Sequence, residues 1–240
     1  MNWFEDWFNS KYYHILYKSR DYEEASQFIS NLNDHFAFRP SDHILDLACG
    51  KGRHSIQLSK FNCEVTGIDL SPESIEIARQ SETDSLKFRV GDMRGELGGP
   101  YSHVLNLFTS FGYFMDSQEN LKVFEAVKKS LNPNGTFLID FFNAKCVEAL
   151  VGDPFEKEID GIKFKISKEI KDAIIHKTIS FSDAGRDYKF VEHVQLLKLQ
   201  DFEKFAGESG FELRNIWGDY ALNPYSEGSS DRLIIEFRLQ

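Results

Sequence analysis

The sequence predicts an α/β fold built on an open, mostly parallel sheet with an inserted antiparallel β flap, and three observations carry that expectation. The first is the stretch His43–Gly52, H-I-L-D-L-A-C-G-K-G, where Ile44, Leu45 and Leu47 form an apolar run of strand length. A small-residue turn stops that run, and Arg53–Phe61 follows with Ile56, Leu58 and Phe61 at helical spacing. A strand, a glycine turn and a helix in that order mark the first ligand-binding crossover of a parallel sheet. The second observation is that strand-length apolar runs alternate with helical stretches from there to Phe142, the pattern of a layered α/β domain. The third is a pair of hairpin signals after residue 144, which a minimal fold of this class does not need.

Length and charge narrow the class of protein. A chain of 240 residues, 41% of them hydrophobic, can bury a full core as one large domain or as one domain with an insertion. A formal net charge of -10 argues against DNA or RNA as partner. No apolar run of roughly 18 residues exists, so nothing is expected to span a membrane. The beginning M-N-W-F-E-D-W-F carries acids and aromatics where a signal peptide carries basic residues. Cys49, Cys63 and Cys146 are odd in number and widely spaced, fitting neither a disulfide frame nor a zinc site. The expectation is a cytoplasmic protein without a metal.

In chain order, Asn2 to Asn33 is helical, with Trp3, Trp7, Phe8, Tyr12, Tyr13, Leu16 and Tyr17 at three- and four-residue intervals. Tyr22, Ala25, Phe28, Ile29 and Leu32 continue the stripe. These aromatics either pack the helices onto the sheet or form a lid over a ligand. At the glycine turn, Gly50 and Gly52 let the backbone bend tightly and approach a ligand. A dinucleotide turn would carry a third glycine where this chain has Ser55, and Asp46 would repel a pyrophosphate. A carboxylate there suits a ligand bearing an ammonium group instead. Cys63–Leu70 is the second strand, ending in Asp69, and Ser71-Pro72 opens a helix as N-cap and first position. Asp69 follows Gly50 by about 20 residues, the spacing of an acid that takes ribose hydroxyls. Leu86–Met93 alternates as a third, edge-like strand and ends in Gly91-Asp92-Met93.

A fourth strand ends near Leu107 or Phe108, placing Thr109, Ser110 and Tyr113 at the mouth of the site. Asp116, with Glu119 three residues on, starts a helix whose buried stripe is Leu121, Phe124, Val127 and Leu131. Asn132-Pro133-Asn134-Gly135 is a turn, and Thr136–Phe142 a fifth, almost wholly apolar strand.

Five of these stretches together carry a resemblance. D-L-A-C-G-K-G-R-H-S, Asp69, Gly91-Asp92, N-L-F-T-S-F-G-Y and L-N-P-N-G-T-F-L-I-D fall in the order and spacing of the class I S-adenosylmethionine-dependent methyltransferases. Y-Y-H-I-L-Y-K-S-R-D-Y-E-E-A resembles the N-terminal segment of small-molecule N-methyltransferases acting on amino sugars, and N-L-F-T-S-F-G-Y resembles their fourth-strand motif and that of an uncharacterised branch beside them. The resemblance covers residues 12–143 and the C-terminal strands. It implies a Rossmann-like seven-stranded sheet of order 3-2-1-4-5-7-6. It implies S-adenosyl-L-methionine as cofactor, S-adenosyl-L-homocysteine as product, and Tyr13 and Tyr17 as lid residues. It implies that Asp92 accepts from the adenine amino group and that Met93 lines the adenine pocket. With Asp46, Gly50, Gly52 and Asp69, the flanking Ala48, Cys49, Leu70, Leu107 and Phe108 complete the expected cofactor site.

Past the fifth strand the chain departs from the minimal fold. Phe155–Ile159 and Ile162–Ile170 flank Asp160-Gly161, and Ile174–Phe181 and Tyr188–Leu199 flank the longer Ser182–Arg186 loop. Four such strands form an antiparallel flap near the cofactor mouth, where the resemblance implies substrate recognition and a homodimer contact. His176, Arg186, Glu192 and His193 are its polar residues of interest. Asp201–Ser209 is a short helix stopped by Gly210. Phe211–Gly218 and Arg232–Leu239 are the last strand pair, with Tyr220 and Tyr225 in the loop between. The regions expected are an N-terminal helical lid (1–36), a cofactor-binding core (37–143), the inserted strands (144–199) and a C-terminal helix with two strands (200–240).

The reading is a methyltransferase acting on a nitrogen or oxygen nucleophile of a small-molecule acceptor by in-line displacement. Tyr113, Asp140 and His176 are the catalytic candidates, with Asn143 beside Asp140 at the end of the fifth strand. A nicotinamide-dependent reductase and a non-catalytic S-adenosylmethionine-binding protein are the alternatives. The missing third glycine, Asp46 and Gly91-Asp92 stand against the first, and the intact motif residues against the second.

Overall fold

A computed structural model of the chain describes residues 3–17, 22–149 and 151–239. Asn2 and residues 18–21 of the expected N-terminal helices lie outside the described residues. Three helices open the chain: α1 (Trp3–Phe8), α2 (Lys11–Leu16) and α3 (Tyr22–Phe36). Ser10 caps α2, its side chain accepting from Tyr12 N at 3.1 Å.

The central sheet begins with β1 (His43–Leu47), followed by α4 (Arg53–Leu58), β2 (Glu64–Asp69), α5 (Pro72–Ala78) and β3 (Leu86–Val90). It continues through β4 (Tyr101–Asn106), α6 (Ser117–Ser130) and β5 (Leu131–Phe142). Strands β1 to β5 pair in parallel. As the sequence indicates, Ser71 caps α5 through Ser74 N and Asp116 caps α6 through Gln118 N. Several boundaries shift by a few residues. β5 starts at Leu131 rather than Thr136, because Leu131 pairs with Tyr101 before the intervening Asn132–Gly135 turn loops out and pairing resumes at His103 and Thr136.

After β5 the short helix α7 (Ala144–Ala149), for which the sequence gives no periodic signal, leads to β6 (Phe155–Ile159), β7 (Ile162–Lys171), β8 (Ile174–Asp183) and β9 (Arg186–Gln195). These four form a separate antiparallel sheet in chain order. Asp160-Gly161 makes the expected tight turn, with φ of 49° and 79°. The second turn is tighter than its sequence suggests: Ala184-Gly185 alone, at φ 50° and 74°, joins β8 to β9. Asp172-Ala173, at φ 53° and 57°, makes a third two-residue turn without a glycine to announce it.

The chain returns to the central sheet through α8 (Leu199–Ser209), stopped by Gly210 at φ 76°, then β10 (Phe211–Trp217) and β11 (Arg232–Leu239). β11 lies antiparallel between β5 and β10. From edge to edge the strands run β10-β11-β5-β4-β1-β2-β3. Numbered within this sheet alone and read from the other edge, that is 3-2-1-4-5-7-6.

Two large apolar clusters cover the sheet's faces. One joins α6 and α8 to β4, β5 and β11 around Phe124, Phe137, Phe202 and Phe237. The other joins α3, α4 and α5 to β1 and β2 around Phe28, Leu32, Ile44 and Ile75. A third cluster packs α1 and α2 onto the flap: Trp7, Tyr12 and Leu16 against Phe164, Ile166, Ile179 and Phe181. The N-terminal helices are thereby tied to the inserted sheet, above the carboxyl ends of the parallel strands, where ligands bind in open α/β sheets.

Candidate functional site

The site is built from four strand exits and a cover. After β1 the chain makes a left-handed passage, with Ala48 at φ 63°, Gly50 at 56° and Gly52 at 79°. The two glycines serve different ends. A Cβ on Gly52 would lie 2.5 Å from Phe88 Cζ, so the turn must sit tightly on β3, whereas a Cβ on Gly50 would meet no atom within 4 Å. The space over Gly50 is open, and Cys49 beside it is buried.

Two carboxylates lie beneath this turn. Asp46 is 1% exposed and accepts from Ser55 Oγ at 2.5 Å. Burial, reinforced by the charge of Asp69, pushes its carboxyl up to about 6. Asp69, at the end of β2, accepts from Gly50 N and from Ser71 N, both at 2.8 Å. Two backbone N–H groups use half of a carboxylate's four acceptor positions. Burial raises its carboxyl as well. Leu70, next in the chain, is 39% exposed, unusual for a leucine at the end of a buried strand.

At the exit of β3, Asp92 is held by Arg94. Its Oδ1 accepts from Arg94 N at 2.9 Å and Nε at 3.0 Å, and its Oδ2 from Nη2 at 2.5 Å. Burial opposes ionisation there, but the Arg94 hydrogen bonds outweigh it and hold the carboxyl below its usual range. Arg94 also reaches Glu119 on α6 at 2.5 Å and stacks over Phe114 at 4.5 Å. Sequence reasoning missed Arg94, because nothing local marks it as the residue that orients Asp92. Met93 packs partly buried against the core.

The exit of β4 is a second left-handed passage without glycine. Leu107 is buried, and Phe108 and Thr109 take φ of 61° and 58°. Such backbone is a true outlier for a bulky or β-branched residue and persists only where surroundings impose it. Here Asp140 imposes it. Its Oδ2 accepts from Phe108 N at 2.8 Å and its carbonyl from Thr109 N at 2.9 Å. Arg232 on β11 pairs with Asp140 Oδ1 at 2.7 Å and donates to Thr109 Oγ1 at 2.9 Å. Tyr220 donates its hydroxyl to Asp140 Oδ2 at 3.2 Å, and the Arg53 guanidinium lies 4.8 Å from the Phe108 ring centre.

Asp140 is therefore occupied. The sequence offered it as a group to orient an acceptor, and the structure makes it the buried half of an ion pair, 1% exposed. Asn143 is likewise engaged, donating to the carbonyls of Glu227 and Ser230 at 2.8 and 2.7 Å and accepting from Tyr225 Oη at 3.3 Å. His176 is also corrected. Its Nδ1 lies 2.8 Å from that of His193, and alternation along β8 places both on the flap face turned away from α1 and α2. Tyr113 remains at the β4 exit, edge-on to Phe8 of α1 at 5.4 Å.

The cover is formed by α1 and α2. Asn9, between them, accepts from Ser71 Oγ at 2.5 Å, next to Asp69. His14 of α2 feels the charge of Lys51 in the glycine turn. Burial first, then Lys51, lowers His14 to about 4, and its Nε2 is buried without a hydrogen-bond partner among the described residues. The expected lid tyrosines turn elsewhere. Tyr17 donates to Glu192 Oε1 on β9 at 2.7 Å, and Tyr13 packs against the rings of Trp7, Phe8 and Tyr17. Surface clefts along α6 and on the flap hold none of the expected site residues.

Residues 39–192 match the family model described as a methyltransferase domain. "Putative methyltransferase YqeM" of Bacillus subtilis (strain 168) is 31% identical over 206 residues, covering 80% of this chain and 82% of that protein. A Streptomyces venezuelae dTDP-3-amino-3,4,6-trideoxy-alpha-D-glucopyranose N,N-dimethyltransferase is 23% identical over 218 residues, covering 87% and 90%. The crystal structure of an S-adenosylmethionine-dependent methyltransferase from Clostridium acetobutylicum ATCC 824 superposes with a TM-score of 0.80 at 20% identity, covering 95% and 96% of the two chains. The chain belongs to the methyltransferase-domain family, with the class I fold and S-adenosylmethionine as its methyl donor.

Proposed function

We propose that the chain methylates a nitrogen or oxygen nucleophile of a small-molecule acceptor. The observation that carries this reading is the cover. α1 and α2 reach from Ser71 at the β2 exit, past Lys51 in the glycine turn, to Tyr113 at the β4 exit. A cover spanning three strand exits leaves room for a small molecule rather than a macromolecular surface. The relative that acts on a dTDP-amino sugar covers nearly its whole length with this chain and supports an amine acceptor. The net charge of -10 agrees with an acceptor other than nucleic acid.

S-adenosylmethionine, when bound, supplies a methyl group on a sulfonium that leaves as a neutral thioether. The chain's own part is to bind, align and exclude water. Asp46 would face the ammonium group, and the two open acceptor positions of Asp69 the ribose hydroxyls. Asp92, fixed by Arg94, and Met93 would hold the adenine between them and Leu70. His14 Nε2, which has no hydrogen-bond partner among the described residues and feels the charge of Lys51, would take the carboxylate. An amine must be neutral to attack, and Tyr113 is the group at the β4 exit suited to orient it. The inserted strands are the surface we assign to a homodimer, with edge strand β6 exposing Phe155 at 48%; sedimentation of the purified protein tests it.

The test of the activity is incubation with S-adenosylmethionine and a panel of small amines, amino sugars, phenols and acids, read by mass spectrometry. Stoichiometric S-adenosylhomocysteine and a monomethylated product from one acceptor class is the expected result. Methylation of RNA or protein, with none of the small molecules turned over, would overturn the small-molecule reading.

A further inference from the structure

The glycine turn and the cover above it each hold a nitrogen group without a partner. His14 of α2 is half-buried, and its Nε2 is buried with no hydrogen-bond partner among the described residues. Burial, then the charge of Lys51, lowers the imidazole to about 4, so the ring is neutral at pH 7. A buried ring nitrogen left unpaired costs free energy that a ligand group can recover. Lys51, in the turn, is half-buried and has no ion pair or hydrogen bond among the described residues. Burial lowers its ammonium as well, with the charge of Glu73 on α5 opposing. The ground beside Lys51 is open, because a Cβ placed on Gly50 meets no atom within 4 Å.

An imidazole nitrogen from the cover and an ammonium from the core thus stand by one open turn, close enough for the charge of Lys51 to act on His14. A carboxylate has an oxygen for each. The cofactor carries its α-ammonium and α-carboxylate on a single carbon, so the place of one fixes the place of the other. Asp46, the carboxylate assigned to the ammonium, lies beneath this same turn. The cover is also held unevenly. It bonds to the flap through Trp7 Nε1 and Tyr17 Oη to Glu192 and through Tyr12 Oη to Asp183, each at 2.7 Å, over a buried cluster. Toward the core, Ser71 Oγ donates to Asn9 and Phe8 meets Tyr113 edge-on. A bridge from His14 to Lys51 adds a charged tie on the core side.

We propose that His14 and Lys51 seat the cofactor's carboxylate between them, so that the amino-acid end of the cofactor latches the cover onto the glycine turn. The latch rests on the methyltransferase reading and adds to it how the site closes. The neutral imidazole donates through Nε2–H, and the lysine supplies a compact point charge. Cofactor and product both carry the carboxylate, so the cover closes on either and opens for their exchange. A ligand with the adenosine and the ammonium but no carboxylate fills the rest of the site and leaves the cover unlatched.

The test is calorimetric titration of the whole chain with S-adenosylmethionine and with its decarboxylated form, which keeps the adenosine, the sulfonium and the ammonium. Native protein, His14→Ala, His14→Gln and Lys51→Ala are compared, and the ratio of the two affinities in each isolates the carboxylate's contacts. The expected result is a preference for S-adenosylmethionine that falls about tenfold in His14→Ala and in Lys51→Ala. His14→Gln, whose amide still donates, keeps most of it. Amide hydrogen exchange in α1 and α2 should slow on saturation with S-adenosylmethionine and stay at the ligand-free rate with the decarboxylated form. An unchanged ratio in either alanine variant, or equal slowing by both ligands, overturns the latch and leaves the cofactor site standing. Binding of neither ligand to the native chain overturns the methyltransferase reading and the latch together.

Discussion

Two left-handed passages of backbone frame the site, and they are held in opposite ways. After β1, two of the three left-handed residues, Gly50 and Gly52, enter the conformation without steric cost, and Ala48 is the one that carries a Cβ. After β4 it belongs to Phe108 and Thr109, which adopt it because Asp140 accepts from both of their backbone N–H groups and Arg232, on another strand, holds Asp140 and the Thr109 hydroxyl. The first passage is written in the residues that bend. The second is written in residues far away in sequence. The difference also divides the carboxylates: Asp69 keeps acceptor positions open, whereas the Asp140 carboxylate is used by Phe108, Tyr220 and Arg232.

The largest effect should come from breaking the β4 clamp. Arg232→Met leaves Asp140 buried without its cation, a change that costs about 3–5 kcal/mol. In a chain of this length that lowers Tm by on the order of 10 °C, measured by scanning calorimetry. Adding Asp140→Ala should cost less than the sum of the two single changes. A melting point unmoved by Arg232→Met would break the contrast between the passages.

The glycine turn should respond in two grades. Gly52→Ala combines left-handed strain with a Cβ 2.5 Å from Phe88 Cζ, together about 2–4 kcal/mol of destabilisation. Gly50→Ala meets no neighbour and costs only the backbone term of about 1–2 kcal/mol. Its Cβ instead enters the open space over the turn, so S-adenosylhomocysteine affinity should fall by more than stability does. Equal loss of stability in both variants would show that the two glycines do not have separate duties.

A smaller effect sharpens the role of Asp46. Its carboxyl stands at about 6 in the free protein, and an ammonium ligand prefers the ionised form, so protons compete with binding. S-adenosylhomocysteine affinity should decline toward tenfold per pH unit below about 6. 5′-Methylthioadenosine, which lacks the ammonium, should show no such dependence. Parallel profiles for the two ligands would remove Asp46 from the ammonium contact.

What the sequence made legible follows the same division. The strands of the sheet, the two capped helices at Ser71 and Asp116, and the turn at Gly50 and Gly52 rest on short-range signals, namely periodicity, cap residues and glycine, whereas the strand order came from the family resemblance. Asp46 and Asp69 were legible because each lies at a fixed distance from that turn. Arg94 and Arg232 were not, since each acquires its place from a partner on another element. Asp140 and His176 misled for the same reason. A polar residue at a strand end or in a hairpin reads alike whether it faces a ligand, an arginine or another histidine. The Asp172-Ala173 turn stayed hidden because neither residue is the glycine such turns usually use.

The account depends most on cofactor binding over the glycine turn, with Asp69 as its ribose contact. The direct measurement is calorimetric titration with S-adenosylmethionine and S-adenosylhomocysteine, on the native chain and on Asp69→Ala, with the melting point of each recorded. The account predicts about one ligand per chain, and a loss of affinity in Asp69→Ala of at least tenfold, about 1.4 kcal/mol, while the variant still melts cooperatively. No heat with either ligand on the native chain, or an unchanged affinity in Asp69→Ala, would contradict it.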